Sequence, residues 1–249
     1  EYTGTKFMSA LKLNFPLTMI LTLLLCYTGF SQGNDPNREL IENTKNYPNA
    51  DVVVLYDSTV VDVKESGLSH VEMRKLTKIL TWKGAKQYRH RNYNYDPQSA
   101  AIDIKSAKIY RKDGTVECVD TSKILDYTAP ARMIYWGMRN KTLEFGRLEP
   151  GDAIETVIHR KGFTYALLGD SEGEDQRFVP PMKGHYYDIV HFRSSVPVEE
   201  KVYRIFMPKD KPLQYEVYNG ELTSYIRFHQ EKDKDITLQV NPHKKTYGT

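Results

Sequence analysis

Between Lys141 and Gly162 the chain reads KTLEFGRLEPGDAIETVIHRKG, two alternating runs joined by Pro150-Gly151-Asp152. Leu143 and Phe145 alternate with Glu144 and Gly146. Past the turn, Ile154, Thr156 and Ile158 share one face, and Ala153, Val157 and His159 share the other. Period-two alternation puts successive side chains on opposite faces of a strand. Proline presets a negative φ and glycine accepts a positive one, so the stretch predicts a β-hairpin. Most of the chain repeats this pattern. The expected fold class is all-β: a mostly antiparallel β-sandwich with a short N-terminal helix and minor helical turns.

Taken in order, Asp35-Pro36-Asn37 opens a predicted helix over Arg38–Lys45, with Leu40 and Ile41 inward, and Tyr47-Pro48 closes it. Asp51–Val63 reads as a strand, apolar on both faces at Val52–Tyr56 and alternating afterwards. A turn at Glu65-Ser66-Gly67 leads into a strand over Ser69–Trp82. There the apolar parity changes near Arg74-Lys75, which predicts a β-bulge at that point. Gly84–Arg89 reads as a helical turn and Tyr93–Tyr95 as a polar strand. Ala101–Tyr110 reads as a strand turned by Lys112-Asp113-Gly114 into Thr115–Val119. Asp120–Leu125 predicts a capped helical turn, and Tyr127–Asn140 is irregular. Further strands are expected over His185–Phe192, Lys201–Met207, Gln214–Tyr218, Tyr225–Gln230 and Ile236–Val240. Turns are expected at Asn219-Gly220 and Asp233-Lys234-Asp235, and a weak sub-boundary near Phe178–Pro181.

The N-terminal residues follow a different logic. Lys12, the apolar run Pro16–Cys26 and the small residues around Gly29-Phe30-Ser31 have the three-part form of an export signal. Met8 reads as the start and Ser31 as the last residue removed. Residues 1–31 are thus a signal peptide with upstream residues, and 32–249 form the domain. The apolar run is shorter than the roughly 20 residues of a comfortable membrane span, so an uncleaved anchor is the alternative. Cys26 follows the bulky Leu25, which argues against lipidation. Export to the periplasm or cell envelope is the expectation. The balance of 35 Lys and Arg against 32 Asp and Glu argues against a nucleic-acid partner. With Cys26 removed, Cys118 is the one cysteine left, so no disulfide forms within the chain and the fold must rest on its core.

Four segments follow one another along the chain. They are Tyr47–Leu55, the strand end Lys78-Ile79-Leu80, the turn Ile109–Gly114, and Leu148-Glu149-Pro150-Gly151-Asp152-Ala153-Ile154-Glu155. Over roughly Tyr47–Val240 the chain resembles the DUF3857 family of exported bacterial domains, which commonly precede a transglutaminase-like domain in Bacteroidetes envelope proteins. The resemblance implies a β-sandwich-like fold and a binding or scaffolding role beside a downstream transglutaminase-like domain, expected beyond Thr249. It carries over no catalytic residues.

The residues themselves offer little chemistry. Cys118 shares parity with Val116 on an apparent strand, which predicts a buried structural thiol. The seven histidines are scattered, and His185 and His191 would lie about 20 Å apart along a strand, too far for one metal. No metal and no cofactor are expected. The loop Asp170–Asp175 has calcium-type ligands without an EF-hand spacing. Lys83, Lys86, Arg89 and Arg91 interleave with aromatics and read as a basic strand edge. The ligand-binding candidates are Tyr135 and Trp136, in an irregular segment, and Tyr93 and Tyr95; packing in a sandwich core is the competing role for all four. The expected function is a non-catalytic domain that binds or positions a glycan, a peptide or a partner domain. The alternative is a glycan- or peptide-processing hydrolase built on carboxylates such as Glu144, Asp152 and Glu155.

Overall fold

The computed structural model describes residues 35–129, 137–164, 186–192 and 194–218, with the backbone of 223–228 and 233–239. The predicted signal segment, Tyr135 and Trp136, the Asp170–Asp175 loop, the Phe178–Pro181 boundary and the Asn219-Gly220 turn lie outside these residues.

Two sheets make the sandwich. The large one contains β1 (Val52–Val63), β2 (Ser69–Ile79), β4 (Ala100–Tyr110), β5 (Val116–Cys118), β8 (Ala153–Gly162), β9 (Lys201–Pro208), β10 (Thr223–Phe228) and β11 (Asp233–Gln239). Its order is β10-β11-β9-β1-β2-β8-β4-β5. The small sheet contains β3 (His90–Tyr95), β6 (Leu125–Thr128) and β7 (Arg139–Glu144), in the order β3-β7-β6. Helices α1 (Pro36–Glu42) and α2 (Trp82–Tyr88) and a 3-10 turn, Thr121–Lys123, complete the regular structure. The all-β, mostly antiparallel sandwich is therefore as expected. Among the described strands one pairing departs from the antiparallel rule: β1 runs parallel to β9.

One face of the β1-β2-β8-β4 region carries Val52, Ile79, Ile102, Ile104, Ile109, Ile154 and Ile158. Leu143 of the small sheet, Phe145, Leu148 and Tyr88 of α2 pack on it. Farther along the same sheet Val61, Val63, Val71, Tyr203, Ile205 and Met207 form a second cluster. Tyr186, Val190 and Phe192 cover it from a segment predicted to be a strand that has no regular structure. It covers the sheet rather than extending it. Residues 214–218 are likewise irregular, and Asp233–Asp235, predicted as a turn, open β11 because they pair with Phe206–Pro208.

The stretch from Lys141 to Gly162 is not a hairpin. β7 lies in the small sheet and β8 in the large one, so the chain arches between layers. The Pro-Gly turn itself is present: the Asp152 N–H donates to the Glu149 carbonyl at 3.1 Å and Gly151 has φ +98°. Its exit is directed by β2, since Gly151 N–H donates to Ile79 O and Ile79 N–H donates to Asp152 O. Positive φ costs an L residue roughly 1–2 kcal/mol, and a Cβ at Gly151 would stand 3.2 Å from Lys112 Cβ. Gly151→Val is expected to lower stability by about 2 kcal/mol, read as a reduced urea midpoint at constant m-value. An unchanged midpoint would show that the turn does not guide the crossing.

The parity change in β2 is not a bulge either. β2 pairs with β8 in unbroken register. Leu76 is buried on the opposite face because a third cluster lies there, made by Val53, Leu55, Tyr110 and Ala153 with Ile41 and Tyr47. The irregularity sits instead in β1 between Val54 and Tyr56, and a second one interrupts β4 between Ile104 and Ser106. Helix α1 starts earlier than predicted. Asp35 caps it by accepting the Asn37 N–H at 3.0 Å, and Pro36 supplies the first-turn φ. Its buried residue is Asn37, while Leu40 is 37% exposed and Ile41 only partly buried.

Candidate functional site

Cross-strand pairing aligns Asn92 with Thr142 and Leu125, and Asn94 with Asn140 and Tyr127. Paired residues share a face, so these side chains form the outward face of the small sheet. Tyr93 and Tyr95, one residue out of phase on β3, point inward and pack on the main core. Burial pushes the Tyr93 phenol pKa up, and Tyr95 donates to Asp126 Oδ2 at 2.9 Å. Neither tyrosine forms an open platform. The exposed aromatic of this sheet is Tyr127, 40% exposed, beside Leu125 at 64%.

Sequence reasoning missed this face. Leu125-Asp126-Tyr127-Thr128 alternates, but four residues between a capped turn and Pro130 gave no usable period. The face is knit by side chains. Asn140 Nδ2 donates to Tyr127 Oη at 3.0 Å, and Thr142 Oγ1 donates to Asn92 Oδ1 at 2.8 Å. Tyr127 Oη lies 3.3 Å from Thr142 Oγ1. The buried Oδ1 of Asn140 has no hydrogen-bond partner among the described residues. The outcome is a fixed ring and a row of amides and hydroxyls on a rigid support. Together they offer both an apolar surface and donor–acceptor pairs.

The carboxylates of the hydrolase alternative are engaged elsewhere. Glu155, 3% exposed, accepts from Arg74 Nε at 2.7 Å and from Asn37 Nδ2 at 3.0 Å through Oε1. Its Oε2 accepts from Tyr110 at 3.2 Å. Burial opposes the Arg74 charge, but the bond to Glu155 outweighs it and raises the guanidinium pKa. Burial also raises the Tyr110 phenol. Asp152, 1% exposed, accepts from Arg111 Nη1 at 2.8 Å and from two backbone N–H groups. Glu144 is exposed and pairs with Arg89 at 3.2 Å. These acids bind separate structural partners rather than facing one another across a pocket.

Cys118 is a correction. It is exposed, as are all three residues of β5. β5 is the outermost strand of the large sheet, so its parity with Val116 does not imply a covered face. The basic series is divided too. Lys83 pairs with Asp51 at 2.7 Å, Arg89 with Glu144, and Arg91 stacks 4.6 Å from the Tyr88 ring centroid. Lys83 and Lys86 belong to α2 rather than to a strand edge. His70 and His159 bring their rings to 5.5 Å, yet no group of three metal-binding side chains occurs among the described residues. A cleft of about 460 Å³ opens beside Thr44, Tyr47, Pro48 and Lys78. Burial lowers the Lys78 pKa, and burial with the neighbouring Glu199 carboxylate pushes Tyr47 up to about 12. No described helix is long and apolar enough to cross a membrane.

The profile of DUF3857, a domain of unknown function with a solved structure, matches residues 65–246. The chain belongs to the DUF3857 family. A comparison with curated proteins gave no match. Among solved structures, this DUF3857 chain is similar to a Parabacteroides distasonis protein provisionally described as a protease, with TM-score 0.60 and 15% identity. The match covers 76% of this chain and 35% of that one, so the DUF3857 chain spans about a third of that protein. At this identity the likeness shows the fold alone. Weaker matches include an M1 zinc metallopeptidase from Deinococcus radiodurans, with TM-score 0.35 and 12% identity over 76% of this chain and 39% of that one. A CBM3a-L domain from the Clostridium thermocellum scaffoldin cipA matches at TM-score 0.28 and 14% identity, over 47% and 71%.

Proposed function

We propose that this DUF3857 domain is an exported, non-catalytic module that binds a glycan on the outward face of its small sheet, next to a transglutaminase-like domain in the same envelope protein. The observation that carries the reading is the exposed Tyr127 ring set among Asn92, Asn94 and Thr142 on three paired strands. A sugar ring has apolar C–H faces and hydroxyl groups that both donate and accept. An aromatic side chain flanked by amides matches both properties, and a sheet holds them without an entropic cost of ordering a loop. The engagement of Asp152 and Glu155 by structural cations supports binding over carboxylate hydrolysis.

The test is a titration of the intact chain with cell-wall oligosaccharides by calorimetry. Binding is expected, and Tyr127→Ala and Asn92→Ala are each expected to weaken it about tenfold or more without changing the melting temperature by much. Absence of binding to any oligosaccharide tried, or equal affinity in both variants, would remove the small sheet as the binding face.

A further inference from the structure

On the opposite side of the large sheet, one side chain from α1 is inserted among three from the strands. Asn37 is 5% exposed. Its Oδ1 accepts from Arg74 Nη2 at 2.9 Å. Its Nδ2 donates to Tyr110 Oη at 2.7 Å and to Glu155 Oε1 at 3.0 Å. We propose that Arg74, Tyr110 and Glu155 form a carboxamide-recognition pocket, which Asn37 fills in cis and which an asparagine on a separate peptide segment can fill in its place.

The polarity of every bond supports this assignment. A primary carboxamide carries one acceptor oxygen and two N–H donors. Here the oxygen meets a guanidinium, and the nitrogen meets a carboxylate and a phenol oxygen. Tyr110 donates its own proton to Glu155 Oε2 at 3.2 Å, so its oxygen is oriented to accept. An aspartate in place of the amide would bring a second negative charge against Glu155 and lose both donors. A lysine would face Arg74. An alanine would remove the acceptor of Arg74 Nη2 and the donor to Tyr110 Oη and Glu155 Oε1. The pocket thus selects by rejection as well as by attraction.

The walls and the filler differ in how they are held. Arg74, Tyr110 and Glu155 stand on β2, β4 and β8, three adjacent strands of the large sheet. They also bond to each other without Asn37: Arg74 Nε reaches Glu155 at 2.7 Å, and Tyr110 reaches its other oxygen. The pocket therefore stays assembled when empty. Helix α1 has seven residues, too few to persist alone. It rests on the sheet through one partly buried apolar side chain, Ile41, and through polar bonds. Arg38 donates to the Gly114 carbonyl, and Lys78 Nζ donates to the Ile41 carbonyl at 2.8 Å. A segment with few buried apolar contacts opens at a lower free energy than the sheet beneath it. The partner that fits is a short peptide with the same grammar, an asparagine in the first turn of a capped helix. This site is separate from the small sheet, so it stands or falls independently of glycan binding.

The experiment uses the full chain carrying Asn37→Ala and a fluorescent synthetic peptide with the sequence of residues 35–46, followed by anisotropy. Circular dichroism first establishes that the variant is folded. The peptide is expected to bind the variant and to bind the unaltered chain about tenfold to a hundredfold more weakly, because there the pocket is filled. The same peptide with Asn37→Asp is expected to lose a similar factor on the variant. Equal binding of the asparagine and aspartate peptides, or no binding of either to the folded variant, would overturn the proposal. So would failure of Asn37→Ala to fold, since the arm would then be an inseparable part of the core.

Discussion

Asp152→Ala is expected to lower the unfolding free energy by about 3–4 kcal/mol. Asp152 joins two turns that are far apart in sequence. Its Oδ2 accepts from the Glu149 N–H at 2.9 Å and from Arg111 Nη1 at 2.8 Å, and its Oδ1 accepts from the Lys112 N–H at 3.2 Å. The turn that ends the arch between sheets is thereby tied to the turn between β4 and β5. Removing the carboxylate leaves two partly buried backbone N–H groups without their acceptor. Arg111 keeps Glu117, with bonds at 2.8 and 2.7 Å, which holds the loss below that of a fully orphaned charge. Glu117→Gln is the control. Its side chain is half exposed, so the change is expected to cost about 1 kcal/mol or less. Urea unfolding of the two variants checks the contrast, and equal midpoints would show that Asp152 does not join the turns energetically.

The second large effect reverses a familiar sign. Glycine to alanine inside a helix normally stabilises by about 1 kcal/mol. Gly84 sits in α2, where a Cβ would stand 2.2 Å from the Asp51 carbonyl oxygen and 2.8 Å from Val52 Cγ1. That carbonyl cannot retreat cheaply, because it accepts from the N–H groups of Leu80 and Thr81 at 2.9 and 3.2 Å. The helix start is pinned as well: Thr81 Oγ1 accepts from Gly84 N–H at 3.1 Å. Gly84→Ala must push α2 away from β1, and Ala85 and Tyr88 leave the main cluster with it. The expected net loss is about 2–3 kcal/mol, seen as a melting temperature lower by roughly 5–10 °C. A melting temperature at or above that of the parent chain would show that the helix can slide freely.

The local features of this fold were legible. Alternation located β1, β4, β8 and β9 to within a residue or two, because a strand's period is a property of its own side chains. Gly67, Gly114 and Gly151 marked turns and all have positive φ. Thr81 and Asp120 cap the helical turns expected near them. Ile154 and Ile158 share one face of β8, as their parity requires, and that face lies on the main cluster. The small sheet's outward face was not legible. Tyr93 and Tyr95 differ from Asn92 and Asn94 by one residue of phase, and a polar strand carries no apolar stripe to say which phase faces in.

By itself the sequence determined membership of the sandwich class, the strands β1, β4, β8 and β9 and the turns at Gly67, Gly114 and Gly151, since each depends on φ preferences and side-chain parity within a few residues. Only the tertiary structure decided which strands pair. Pro150-Gly151 specifies a reversal, but the bonds between Gly151, Asp152 and Ile79 send the chain into the other sheet. Leu76 is buried on the face opposite the main cluster because α1 and Tyr47 arrive from far away in sequence, and Cys118 is exposed on the edge strand β5. Parity names the two faces of a strand; what covers each face is a long-range event, paid for by contacts that no local window contains.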